Sequence, residues 1–155
     1  MTRLFACLLV VVLALTACAR TEPDLLAFRL PAVDGGTVDG ASLRGRPAVL
    51  WFWAPWCTIC RAEAPEVGRA TRYQCEVAVI GVAGRGPVAD MRQFVEQTGL
   101  RHLPHAVDTD GAVWATFGVT SQPAFAFLDR RGSAEVFTGS LPPDDLSSRM
   151  EALAR

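Results

Sequence analysis

A run of seven apolar residues, Ala48-Val49-Leu50-Trp51-Phe52-Trp53-Ala54, stops at Pro55 and is followed at once by Cys57-Thr58-Ile59-Cys60. An unbroken apolar run of that length reads as a strand buried on both faces. Proline cannot donate to a sheet ladder, so the strand ends there. From Thr58 the chain continues through Arg61, Ala62, Glu63 and Ala64, a run that favours helix. A strand passing directly into a helix puts Cys57 at the helix N-terminus and Cys60 one turn further in. The first N–H groups of a helix lack internal partners and its dipole is positive at that end, so a thiolate is stabilised there. One exposed, acidic thiol with a second behind it is what two-electron exchange with another protein's disulfide requires.

The rest of the chain is read against that junction. With 155 residues it is long enough for one domain with a single well-buried core. The formal net charge is −1 and no lysine occurs, so there is no basic footprint for nucleic acid. Five cysteines occur, and only Cys57 and Cys60 are close enough in sequence to suggest a bridge. Cys75, standing alone before a predicted strand, reads as a small buried hydrophobe.

Met1-Thr2-Arg3 followed by the apolar Leu4 to Leu15 is too short to span a bilayer and has the form of a signal peptide, residues 1–17. Leu15-Thr16-Ala17-Cys18 resembles a bacterial lipobox. That resemblance implies lipidation at Cys18, a tether over residues 18–25 and attachment to the outer face of the cytoplasmic membrane, or secretion if Cys18 is not modified. Either route places the Cys57–Cys60 pair where disulfides persist.

Residues 26–155 form the expected folded domain. Asp34-Gly35-Gly36 between two short apolar runs predicts a hairpin, and Val77 to Ala83 a second buried strand. Pro87 opens and Gly99 closes an amphipathic helix carrying Val88, Met91 and Val95. Val113, Trp114 and Phe117 mark a short helical turn. Two strands flank Asp129-Arg130-Arg131-Gly132, and a closing helix carries Leu146, Met150 and Leu153. This order implies an α/β thioredoxin fold, a mixed central sheet with helices on both faces.

Trp56-Cys57-x-x-Cys60 followed by Arg61-Ala62-Glu63-Ala64-Pro65 resembles the thioredoxin superfamily, and within it the TlpA/ResA/DsbE-type extracytoplasmic thiol-disulfide oxidoreductases. The string from Trp51 to Cys57 and Val119-Thr120-Ser121-Gln122-Pro123 look most similar to actinobacterial DsbE/DsbF-type proteins. The resemblance implies an added N-terminal hairpin, a cis bond between Gln122 and Pro123, and a place for Pro123 against the cysteine pair. It also implies that Cys57 is the attacking or attacked sulfur and Cys60 the resolving one, supported by Pro55, Trp56, Pro123 and the Gln122 backbone. No cofactor is implied. The implied partners are reduced or misoxidised exported proteins and a membrane redox partner that resets the pair.

Three other readings are weighed against this one. Cys57 and Cys60 with His102 and His105 could form a copper or zinc site, although the two halves are far apart and His-x-x-His is tight for zinc. A peroxidase would carry Pro-x-x-x-Thr-x-x-Cys, whereas here Thr58 follows Cys57. The third is a TlpA/ResA-like reductase serving cytochrome c maturation. Related reductases carry a buried acid six residues before the first cysteine, and this chain has Trp51 there, with no acid between Val77 and Ala83. Without a buried base Cys60 should deprotonate slowly, so the expected direction is oxidation of exported proteins.

Overall fold

The computed structural model describes residues 24–142 and 144–155. The expected signal peptide (1–17) and the candidate lipidation site Cys18 lie outside them. Strand β3, Ala48–Trp53, is buried at every position and forms the middle of a five-stranded sheet. Its neighbours are β4 (Ala78–Gly84), parallel to it, and β6 (Ala124–Leu128), antiparallel. β5 (His105–Asp108) extends the sheet beyond β4, and β7 (Ala134–Thr138) beyond β6, for an order β5-β4-β3-β6-β7.

Side chains of a strand alternate between faces, and β3 divides the core accordingly. Val49, Trp51 and Trp53 pack with helices α1 (Thr58–Tyr73), α2 (Val88–Thr98) and α4 (Asp145–Ala154), through Cys60, Ala64, Val67, Met91, Phe94, Leu146 and Met150. Ala48, Leu50 and Phe52 pack on the other face with α3 (Ala112–Thr116) and the N-terminal segment, through Leu26, Val38, Leu43, Val113, Trp114 and Phe117. Apolar side chains needed on both sides of the sheet explain why β3 does not alternate.

The predicted hairpin pairs β1 (Arg29–Pro31) with β2 (Thr37–Asp39). Its turn is closed by the Asp34 carboxylate, which accepts from the Gly36 N–H, and by Gly35 at φ 95°. The hairpin leans on the outer edge of β5, where Ala32 pairs with Ala106 and the Val33 N–H donates to the His105 carbonyl at 2.9 Å. At the other end of the N-terminal segment Asp24 forms an ion pair with Arg44, so the expected tether is already docked on the domain at Asp24.

Several expectations shift. β3 ends at Trp53 rather than Ala54, and β4 begins at Ala78 rather than Val77. Cys75 is exposed, not buried. It falls in the turn after α1, where the chain has left the helix and not yet entered the sheet, so neither element covers it.

Candidate redox site

The end of β3 and the start of α1 form the junction read from the sequence. The Cys57 N–H donates to the Ala54 carbonyl at 3.1 Å, closing the turn through Pro55 and Trp56. Cys57 is the N-cap of α1, and its sulfur accepts the backbone N–H of Cys60 at 3.0 Å. Cys57 and Cys60 are joined as a disulfide, with their Cα atoms 5.2 Å apart. Cys57 is 5% exposed and Cys60 fully buried, so an incoming sulfur can reach only Cys57. The expectation of an openly exposed Cys57 is thus corrected, while the asymmetry within the pair remains. The exposed surface belongs instead to the neighbours: Trp56 at 59% and Ile59 at 54%.

Pro55 is buried, and the Trp56 indole N–H donates to the Arg85 carbonyl at 2.7 Å. Gln122 is half-buried, Pro123 is buried, and the peptide bond between them is cis. Pro123 immediately precedes β6, whose Ala124 pairs with Phe52 near the end of β3, so the Gln122–Pro123 loop lies at the same end of the sheet as the cysteines.

Glu63 was missed in the sequence. It is buried one turn beyond Cys60 on α1, where residues three apart lie about 5–6 Å from each other at Cβ. Its carboxylate accepts from the Trp51 indole N–H (3.2 Å), the Ser140 hydroxyl (3.0 Å) and the Leu141 N–H (3.0 Å). Burial raises its pKa against the opposing pull of those hydrogen bonds. This overturns the expectation that no buried carboxyl stands near the pair. Trp51, where related reductases carry an acid, instead donates to an acid supplied by the helix. A signal was present: Glu63 shares the helix face of Cys60, Ala64 and Val67, all turned inward.

The alternative metal set is not assembled. His105 is buried, its Nε2 donating to the Leu100 carbonyl at 3.0 Å, while exposed His102 meets the Thr71 hydroxyl at 3.2 Å. Among the described residues no group of three or more His, Cys, Asp or Glu side chains is placed to hold a metal ion.

A family model described as the AhpC/TSA family matches residues 23–136. The chain belongs to this family. Among its relatives, the soluble secreted antigen MPT53 of Mycobacterium tuberculosis is 39% identical over 144 residues, covering 91% of this chain and 83% of the relative. The thiol-disulfide oxidoreductase ResA of Geobacillus thermodenitrificans is 27% identical, covering 88% and 78%. In structure, MTB DsbF superposes with a TM-score of 0.82 at 47% identity, covering 86% of this chain and 99% of that one. A secreted M. tuberculosis disulfide oxidoreductase, described as homologous to E. coli DsbE, gives 0.78 at 39%, covering 83% and 98%. The fold and the bonded Cys57–Cys60 pair, set beside these relatives, make this AhpC/TSA chain a thiol-disulfide oxidoreductase of the DsbE/DsbF and ResA kind.

Proposed function

We propose that the protein is an exported oxidase that passes its Cys57–Cys60 disulfide to reduced exported proteins. The observation that carries this reading is the N-cap geometry. The Cys57 sulfur already accepts the Cys60 N–H at the start of α1, so the thiolate left after reduction is stabilised by that donor and by the helix dipole. A stabilised reduced form makes the disulfide a stronger oxidant.

In the forward direction a client thiolate attacks the Cys57 sulfur, the Cys57–Cys60 bond breaks, and its electron pair leaves on Cys60. A second client thiolate then attacks the client sulfur of the mixed disulfide, and Cys57 departs as a thiolate. The client loses two electrons and two protons, and the pair gains them. A membrane redox partner takes the electrons and restores the disulfide. The client lies extended against the Gln122 backbone and Pro123, with Trp56 shielding the sulfurs. Export follows from the leader and accords with the secreted relatives. Anchoring through Cys18 extends that reading, and release of a Cys18→Ala protein from membranes into the medium checks it.

Glu63 favours a second reading. A buried carboxyl one turn from Cys60 is suited to take the Cys60 proton, which a ResA-like reductase needs in order to resolve a mixed disulfide. One experiment decides between them: equilibration of the pair against glutathione, with refolding of a reduced, disulfide-containing protein. The oxidase reading expects a potential tens of millivolts above that of thioredoxin (about −270 mV) and accelerated refolding. A potential at or below thioredoxin's, without accelerated refolding, assigns the reductase direction.

A further inference from the structure

Arg85 lies in the loop between β4 and α2 and is one of two non-glycine residues with positive φ among the described residues, at 58°. Side chains of L-residues avoid this region because Cβ crowds the backbone, so a non-glycine residue held there points to constraint by its surroundings. The surroundings here are two walls of the redox site. The Arg85 carbonyl accepts the Trp56 indole N–H at 2.7 Å, on the wall that carries Cys57. The guanidinium donates to the Thr120 carbonyl at 2.6 Å and to the Gln122 side-chain oxygen at 3.4 Å, on the wall that carries Pro123. It also lies over the Trp114 ring, 4.9 Å from the centroid, which limits where it can swing. The next residue, Gly86, runs so close to the redox turn that a Cβ there would meet Pro55 Cγ at 2.5 Å.

We propose that Arg85 is a positioning residue that fixes the separation between the Trp56–Cys57 turn and the Gln122–Pro123 loop, and so preorganises the cleft for a client polypeptide. The inference rests on the thiol-disulfide exchange reading but concerns client binding rather than sulfur chemistry. None of the contacts of Arg85 reaches either cysteine. A small dithiol needs only the Cys57 sulfur, whereas an extended polypeptide needs both walls at the right distance. Ordering of the loops before binding lowers the cost of association, and its loss appears in KM rather than kcat.

The test is Arg85→Gly, which deletes the guanidinium while glycine accepts the positive φ and keeps the carbonyl for Trp56. Two substrates are compared, with glutathione disulfide added to restore the pair and its uncatalysed reaction subtracted: dithiothreitol, and reduced, unfolded lysozyme. The expected result is a KM for lysozyme raised about tenfold at a kcat within about twofold of the parent. The dithiothreitol rate and the glutathione equilibrium should stay within about twofold, which also reports an intact redox turn. A lysozyme KM equal to the parent's overturns the inference. So does a dithiothreitol rate that falls in step with lysozyme turnover, because Arg85 would then support the redox turn itself. Failure of the exchange reading looks different: the parent protein would show no exchange with either substrate.

Discussion

Cys57 and Cys60 are the same residue type in opposite situations, one slightly open to solvent and the other sealed. Their roles should separate on substitution. Cys57→Ser is expected to abolish exchange, and Cys60→Ser to accumulate mixed disulfides with client proteins, read on non-reducing gels. Equal residual exchange in the two variants would count against this division. Glu63 refines the picture. Glu63→Gln removes the ionisable group while keeping an acceptor for Leu141 and Ser140. If Glu63 handles the Cys60 proton, the rate of mixed-disulfide resolution in the variant loses the inflection that the raised carboxyl contributes to its pH profile. An unchanged profile would leave Glu63 a structural acceptor for Trp51, Ser140 and Leu141.

At the scale of elements, α3 shows how a polar side chain secures a helix of five residues, too short to persist alone. Asp108, at the end of β5 and fully buried, accepts the N–H groups of Val113 (3.3 Å) and Trp114 (2.9 Å). Asp108→Ala leaves both donors without an acceptor and is expected to lower stability by about 1–2 kcal/mol, measured by urea unfolding. A loss under about 0.5 kcal/mol would mean that water replaces the carboxylate. Elements were also where the sequence was most legible. The unbroken run of β3, Pro87 and Gly99 around α2, and Asp34-Gly35-Gly36 in the hairpin each carry a local cause for the structure they adopt. Glu63 and Arg85 were not legible in the same way. The partners of Glu63 lie at Trp51 and at Ser140 and Leu141, and those of Arg85 at Trp56, Thr120 and Gln122. Such contacts exist only once distant segments have met. Cys75 failed for a simpler reason, since a shift of one residue at the start of β4 leaves it further from the sheet.

For the whole molecule, stability should depend on acidity through His105. Its Nε2–H donates to the Leu100 carbonyl, its Nδ1 has no partner, and burial, the largest cause, pulls its pKa from 6.5 down to about 4. Between those values the unfolded chain binds a proton that the folded one refuses, so this stabilising contribution is present above pH 6.5 and is lost as pH falls toward 4. The loss approaches about 3 kcal/mol as pH falls from 6.5 to about 4. Glu63 and Asp108, both raised by burial, act in the opposite sense on acidification. The His105 share is therefore read as the difference between parent and His105→Gln in urea midpoints at pH 7 and pH 5. The parent should lose more stability than the variant over that interval, and equal losses would exclude His105 as the cause.

The ion pair of Asp24 with Arg44 holds the start of the described chain beside the segment that leads into β3. Arg44 lies just ahead of β3, and the cysteines follow its far end, so the leading segment joins the domain at the opposite pole from the sulfurs. The six residues of β3 span about 20 Å. A molecule moored by its leading segment would therefore carry its reactive pole outward like a lamp on a post, accessible to emerging chains and within reach of a membrane enzyme only if that enzyme also projects from the bilayer or the mooring lets the domain tip over.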